Sequence, residues 1–258
     1  MDRSSYDRFT AALQSWAELE PVVIGLIAAG SAAGNSHDPD EWSDHDFWVV
    51  TSEGAAEPLR RDLGWLPYAD RIAMTYRETE HGVGAVYDDG HLVEVAVFTV
   101  NEMTVGRLND YRVLSGDAEF QSRLVPLMSR RPAAEPADEA GRFLAQLLIG
   151  LGRHGRGEDL SAHAMVRARA LETLLGLIAA VVPPETSAPL DDLDRHRRFE
   201  AAYPSIAPHI LALLRLEVPG CAEGLIDVAE RTVAPRMSDW PVRGVDAVRR
   251  VLARAALV

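Results

Sequence analysis

The first half of the chain alternates short apolar segments with polar turns, a pattern typical of strands preceded by one helix. Phe9, Leu13 and Trp16 recur at helical spacing, which predicts a helix over Tyr6–Leu19 that ends before Pro21. Val22–Ala29 is a continuous apolar run, as expected for a buried strand. The other predicted strands are Asp46–Thr51, Arg71–Arg77, Gly82–Tyr87 and Leu92–Thr99, the last two joined by a turn at Asp88–Gly90.

From about Ala137 the apolar residues recur at helical spacing instead. Residues 143–152 and 158–182 predict two helices, the second ended by a pair of prolines. Further helices are predicted at Ala207–Leu216, Ala222–Thr232 and Val245–Leu257. The proline-containing segment Arg130–Asp138 predicts a linker. We therefore expect an α/β domain at residues 1–130 and an all-α helical domain at residues 137–258.

The composition excludes several kinds of chemistry. The sequence contains no lysine, which rules out a Walker A lysine and a Schiff-base lysine. Cys221 is the single cysteine, so internal disulfides and cysteine-rich metal sites are excluded. A formal net charge of −13 argues against a general nucleic-acid binder. No apolar run reaches the ~18 residues that span a bilayer, and the N-terminus lacks a signal-peptide pattern, so we expect a cytoplasmic protein without a membrane partner.

Three Asp-x-Asp triplets differ in what surrounds them. Those at residues 38–40 and 192–194 lie in polar segments, whereas Asp44 and Asp46 lead directly into a strand of the buried type. Residues i and i+2 of a strand project from one face, so both carboxylates are expected to share one space while His45 points the other way. Two carboxylates so close repel each other unless a cation neutralises them, and a divalent cation does so best.

Glu94 is the third acid of interest because it interrupts the apolar strand Leu92–Thr99. Burying a lone carboxylate is costly unless it is paired or bound to metal, although an exposed strand face is the simpler explanation. If this strand neighbours that of Asp46, three carboxylates converge. Such a set of oxygen ligands suits Mg²⁺, which is bound by a few carboxylates together with water and substrate phosphates.

Gly30 and Ser31 follow a buried strand and precede a predicted helix start, with Gly34 shortly after. Glycine lets a phosphate approach the backbone, serine offers a hydroxyl, and free N–H groups attract anions. A Gly-Ser pair alone is common. The ordered set of strand, Gly-Ser, Asp-x-Asp and an acid within a later strand is much more specific.

Leu26–Ser31 followed by Ser43–Val50 resembles the nucleotidyltransferase superfamily typified by DNA polymerase β, and most closely its lincosamide and aminoglycoside nucleotidyltransferase branch. The resemblance covers residues 26–98 and implies a mixed sheet. It implies that Gly30 and Ser31 contact the phosphates of an NTP, with ATP favoured. It also implies that Asp44, Asp46 and Glu94 bind two Mg²⁺ ions, with Glu94 as the catalytic base.

The helical half matches this branch more loosely. Residues 153–158 and 193–200 are similar to segments of its helical domain, which makes Arg153 and Arg156 candidates for phosphate contacts, although cations are ordinary at a helix end. Glu158 is the alternative base. The resemblance also indicates a possible homodimer. One departure is Ala33, which stands where many relatives have arginine.

The resemblance implies transfer of a nucleoside monophosphate to a hydroxyl of a small molecule, with release of pyrophosphate. An acidic protein suits a cationic aminoglycoside, whereas the lincosamide enzymes point to a less charged acceptor, and either would imply antibiotic resistance. Two alternatives stay open. One alternative is an enzyme that adenylylates a protein, and the other is a non-catalytic nucleotide-binding module.

Overall fold

The computed structural model describes residues 1–34, 38–106, 110–124, 135–191 and 193–255. The chain divides into two compact units, residues 1–129 and 130–258. Residues 35–37, 107–109, 125–134, 192 and 256–258 lie outside the described residues, and they include most of the predicted linker and the first acid of the third Asp-x-Asp triplet.

A six-stranded mixed sheet forms the centre of the first unit. Its strands are β1 Val23–Ala29, β2 His45–Thr51, β3 Ile72–Arg77, β4 Gly82–Tyr87, β5 Leu92–Thr99 and β6 Tyr111–Ser115. Their order across the sheet is β3-β4-β5-β2-β1-β6. The pair β2–β5 is parallel and the other four pairs are antiparallel.

Helix α1, Arg3–Leu19, covers one face of this sheet. It begins at Arg3 because the side chain of Asp2 accepts a hydrogen bond from the Ser5 N–H at 2.7 Å, a regular N-cap. The buried residues of α1 recur every three or four positions and pack against inward-facing residues of β1, β2, β4 and β5. A shorter helix α2 spans Ala56–Arg61. Helix α3, Ala118–Leu124, contributes Phe120 and Leu124 to a smaller core on the opposite face.

All the regular elements described in the second unit are helical. They are α4 Pro136–His154, α5 Asp159–His163, α6 Leu171–Val181, α7 Phe199–Ala202, α8 Ala207–Leu213, α9 Val218–Thr232 and α10 Val242–Ala255, with a π-helical segment Ala164–Ala170 between α5 and α6. A single apolar cluster forms their core. Glu139 is buried within this unit and pairs with Arg142 at 2.9 Å and with Arg195 at 3.1 Å.

The predicted α/β architecture followed by a helical region is confirmed. The five predicted strands are present, with ends within one residue of those expected. The sequence pattern missed β6, a short strand at the edge of the sheet. The helix predicted at Ala222–Thr232 begins earlier, at Val218, because Pro219 lies in the first turn of α9, where proline is tolerated. Among the described residues, no helix has the length and apolarity needed to cross a membrane.

Candidate active site

Three carboxylates converge at the start of β2. Asp46 of β2 and Glu94 of β5 are register partners in the parallel pair, so their side chains stand side by side on one face of the sheet. Asp44 lies two residues before Asp46 and projects from the same face. One carboxylate oxygen of each residue lies within 4.8 Å of the others, and all three residues are half-buried. The structure therefore brings together the three acids that the sequence singles out.

His45, between the two aspartates, lies on the opposite face and is fully buried. Its ring stacks on Tyr6 with centroids 3.6 Å apart, and its Nδ1 lies 2.6 Å from His91 Nε2. Burial lowers the pKa of His45 to about 3, with the neighbouring His91 as the second cause. The imidazole is thus a neutral core group, as the strand alternation predicts, and it anchors the segment that carries the acids.

Gly30–Ala33 forms one turn of 3₁₀-helix directly after β1, and this turn touches the acids. Gly30 has φ +54, and a Cβ there would lie 3.0 Å from Asp46 Oδ2. The buried Ser31 hydroxyl donates to the backbone carbonyl of Asp44 at 3.2 Å, and the Tyr6 hydroxyl donates to the same carbonyl at 2.7 Å. Glycine at position 30 therefore permits both the backbone conformation and the close approach of Asp46.

The Ser31 hydroxyl ties the turn to the acid-bearing segment in this structure. Its predicted contact with a phosphate stays a prediction. Arg112 of β6, which no sequence pattern singled out, donates from Nε to Ala33 O at 3.1 Å and from Nη2 to Ala32 O at 3.3 Å. A guanidinium thus fixes the end of the turn at Ala32 and Ala33.

Tyr76 of β3 is a second residue missed at the level of sequence. Its hydroxyl donates a hydrogen bond to Glu94 Oε1 at 2.7 Å. The available signal was Gly84, a glycine inside a predicted strand, since such a glycine often marks a close approach of another group. That signal does not reveal which group approaches.

Arg153 and Arg156 lie at the C-terminal end of α4 and just beyond it, in the second unit. Arg156 forms an ion pair with Glu158 at 2.8 Å. Glu158 is the N-cap residue of α5, and its pKa is lowered, first by the hydrogen bond from Arg156. The roles of Arg153, Arg156 and Glu158 toward a nucleotide or an acceptor stay predictions.

The cluster of three carboxylates fits Mg²⁺ by its donor chemistry. It offers oxygen ligands alone, which suits a hard cation and contrasts with the nitrogen and sulfur ligands of structural zinc sites. Within the part of the chain that the structure describes, no arginine or histidine forms an ion pair with Asp44 or Glu94. Their negative charge is therefore available to a bound cation.

No model of a known protein family and no curated protein sequence matches this chain. The chain is similar in structure to an aminoglycoside 6-adenyltransferase from Bacillus subtilis, with 10% identity over 95% of this chain and 98% of the other and a TM-score of 0.37. It is also similar to the CD-NTase CdnG of Bradyrhizobium diazoefficiens in complex with GTP, with 15% identity over 98% and 91% and a TM-score of 0.31. Similarity at this level carries no argument about activity, which has to come from the residues of this chain.

Proposed function

We propose that the chain is a nucleotidyltransferase that moves a nucleoside monophosphate from Mg-NTP to a hydroxyl of a small molecule and releases pyrophosphate. The observation that carries the proposal is the convergence of Asp44, Asp46 and Glu94 within 4.8 Å, beside the Gly30–Ala33 turn. Three carboxylates brought this close on one sheet face repel one another in an unliganded protein. A divalent cation and a triphosphate explain both the acids and the glycine next to them.

In this proposal Asp44, Asp46 and Glu94 hold the cation. Bound Mg²⁺ would supply charge neutralisation for the leaving pyrophosphate and would lower the pKa of the acceptor hydroxyl. Glu94 takes the proton of that hydroxyl as its oxygen forms a bond to the α-phosphorus. The bond from the α-phosphorus to the bridging oxygen breaks, and pyrophosphate leaves with that oxygen.

The turn at Gly30 and two arginines of the second unit are the groups that we propose contact the phosphates of the nucleotide. Gly30 lets a phosphate approach the backbone, where N–H groups donate to it. Arg153 and Arg156 contact phosphate oxygens, for which the guanidinium fork is well suited. Glu158 is the alternative base, and the ion pair that it already forms with Arg156 favours Glu94 over it.

We propose a small hydroxylated acceptor, an aminoglycoside or a lincosamide, and ATP as the favoured nucleotide. The excess of 39 acidic over 26 basic residues favours a cationic acceptor over an anionic polymer such as tRNA. The sequence resemblance to antibiotic-modifying enzymes supports the same class.

The test is pyrophosphate release with Mg²⁺ and each NTP, across a panel of aminoglycosides, lincosamides and other polyols, with products identified by mass spectrometry. Acceptor-dependent release should fall at least about a hundredfold in Asp44→Ala and in Asp46→Ala. Asp70→Ala is the matched control, because Asp70 is an exposed acid of the same unit and should leave the rate unchanged.

The same experiment separates the alternatives. Mass shifts of added proteins, without turnover of any small acceptor, would replace the acceptor class by a protein. Binding of NTP that needs no Mg²⁺ and persists in both aspartate variants, without turnover, would indicate a binding module. Neither turnover nor NTP binding would refute the proposal.

A further inference from the structure

One row of register partners crosses four strands of the sheet at the acid cluster. Tyr76 pairs with Gly84, Gly84 pairs with Glu94, and Glu94 pairs with Asp46. Directly paired residues of neighbouring strands project from the same face. Tyr76 and the acids therefore share a face, and the position between Tyr76 and Glu94 has no side chain.

The missing side chain at Gly84 is what lets Tyr76 reach Glu94. Strands β3 and β5 are separated by two strand spacings, about 10 Å in all, so a side chain on β3 meets one on β5 only by lying across β4. A Cβ on Gly84 would stand 2.2 Å from Tyr76 Cζ and 2.5 Å from its hydroxyl oxygen. The tyrosine ring thus lies against the Gly84 backbone.

The hydroxyl at the end of this ring donates to Glu94 Oε1 at 2.7 Å, a short and regular hydrogen bond to a carboxylate. The pKa of Tyr76 is raised to about 12, mainly by burial and then by the bond to Glu94, so the hydroxyl keeps its proton at neutral pH. The bond uses one of the roughly four lone-pair sites of the carboxylate, so Glu94 keeps sites for both a cation and the acceptor hydroxyl.

We propose that Tyr76 is a positioning residue for Glu94, and that Gly84 supplies the space its ring requires. The hydroxyl fixes the orientation in which the carboxylate meets the bound cation and the acceptor. The part that concerns the acceptor rests on the proposed function, whereas the part that concerns the cation rests only on the acid cluster. Mutation of residues that orient metal ligands in this way commonly weakens metal binding by about 10- to 100-fold.

The test measures Mn²⁺ binding by calorimetry and by electron paramagnetic resonance, on the full chain and without nucleotide. Tyr76→Phe removes only the hydroxyl, and we expect its Kd for Mn²⁺ to rise about tenfold. Tyr87→Phe is the matched control, since Tyr87 of the neighbouring strand donates its hydroxyl to Pro67 O at 2.7 Å. That change should affect unfolding only, with the Kd for Mn²⁺ unchanged.

A double substitution distinguishes positioning from a general structural effect. Gly84→Ala displaces the ring, so it should weaken Mn²⁺ binding at least as much as Tyr76→Phe. Because both changes remove the same hydrogen bond, Gly84→Ala combined with Tyr76→Phe should bind Mn²⁺ about as weakly as Gly84→Ala alone. The proposal would be overturned if the two single substitutions multiplied their effects on the Kd for Mn²⁺ in the double variant. It would also be overturned if the Kd of Tyr76→Phe stayed within twofold of the wild type.

Its failure can be told apart from failure of the proposed function. Weaker Mn²⁺ binding in Tyr76→Phe, with no acceptor turned over by the wild type, would support the positioning role and overturn the transferase. Acceptor turnover that depends on Asp46, with unchanged Mn²⁺ affinity in Tyr76→Phe, would do the opposite. With turnover present, kcat should fall in Tyr76→Phe while the KM for NTP stays within twofold, because Glu94 rather than the triphosphate loses its support.

Discussion

Replacing Asp44 by asparagine removes one of three negative charges that the fold holds within 4.8 Å of one another. The substitution keeps the size of the side chain and leaves the backbone carbonyl that accepts from Tyr6 and Ser31 in place. If the cluster is a cation site, its carboxylates repel one another in the metal-free protein. Asp44→Asn should therefore stabilise the metal-free protein while it weakens the binding of Mg²⁺.

The size of this effect follows from the separation of the charges. At 4.8 Å, one carboxylate pair repels by about 1 kcal/mol in water-like surroundings and by about 3 kcal/mol at an effective dielectric constant of roughly 20. Asp44 and Asp46 are also close in the unfolded chain, so the relief on folding comes mainly from the pair with Glu94. We expect a gain of about 1 to 3 kcal/mol in the free energy of unfolding.

Urea unfolding followed by tryptophan fluorescence measures this gain. Urea carries no charge, and the signal reports mainly on the first unit, which contains four of the five tryptophans, at positions 16, 42, 48 and 65. With a chelator present, Asp44→Asn should unfold at higher urea than the wild type. With Mg²⁺ at about 100 times its Kd, the free energy of unfolding of the wild type should rise by about 2.7 kcal/mol. At the same Mg²⁺ concentration the variant should gain clearly less.

The control substitution is Glu18→Gln, which makes the same change in net charge at an exposed residue of α1. It should alter stability by less than about 0.5 kcal/mol. Two results would contradict the prediction: Asp44→Asn is less stable than the wild type in chelator, or Mg²⁺ stabilises both proteins equally. Either result would mean that the three carboxylates do not form a cation site.

Three further predictions concern the turn, the second unit and pH. Gly30→Ala should lower the free energy of unfolding by about 1 kcal/mol, measured by urea unfolding, because φ is +54 at this position. It should also raise the Kd for Mg²⁺, measured by calorimetry, because the new Cβ would stand 3.0 Å from Asp46 Oδ2. Arg195→Met removes an ion-pair partner of Glu139, whose side chain is 5% exposed. Because the arginine itself is partly exposed, the free energy of unfolding should fall by only about 2 kcal/mol, as measured by unfolding followed by circular dichroism. Because burial lowers the pKa of His45 to about 3, the unfolded chain binds a proton below pH about 6.5 that the folded chain does not. Stability of the first unit should thus fall as pH drops from about 6.5 toward 3, by up to about 1.4 kcal/mol per pH unit, and a slope unchanged in His45→Gln would contradict this.

The pattern along the sequence was sufficient for α1, for five of the six strands and for two of the acids. Strand alternation is a local property, so it placed Asp44 and Asp46 on one face and His45 on the other without reference to any neighbour. The apolar run around Glu94 marked that residue as unusual for the same reason. It could not exclude that Glu94 simply faced solvent.

What only the tertiary structure decided is which strands lie side by side. Strands that are neighbours in the sheet need not be consecutive in the chain. The order β3-β4-β5-β2-β1-β6 is what sets Glu94 beside Asp46 and places Tyr76 two strands away from Glu94. Two contacts depend on this order and on side-chain directions. They are the contact of Tyr76 with Glu94 across Gly84 and the contact of Arg112 with the Gly30–Ala33 turn. Local sequence carries no record of such pairings, because they are selected by the packing of the whole sheet against α1 and α3.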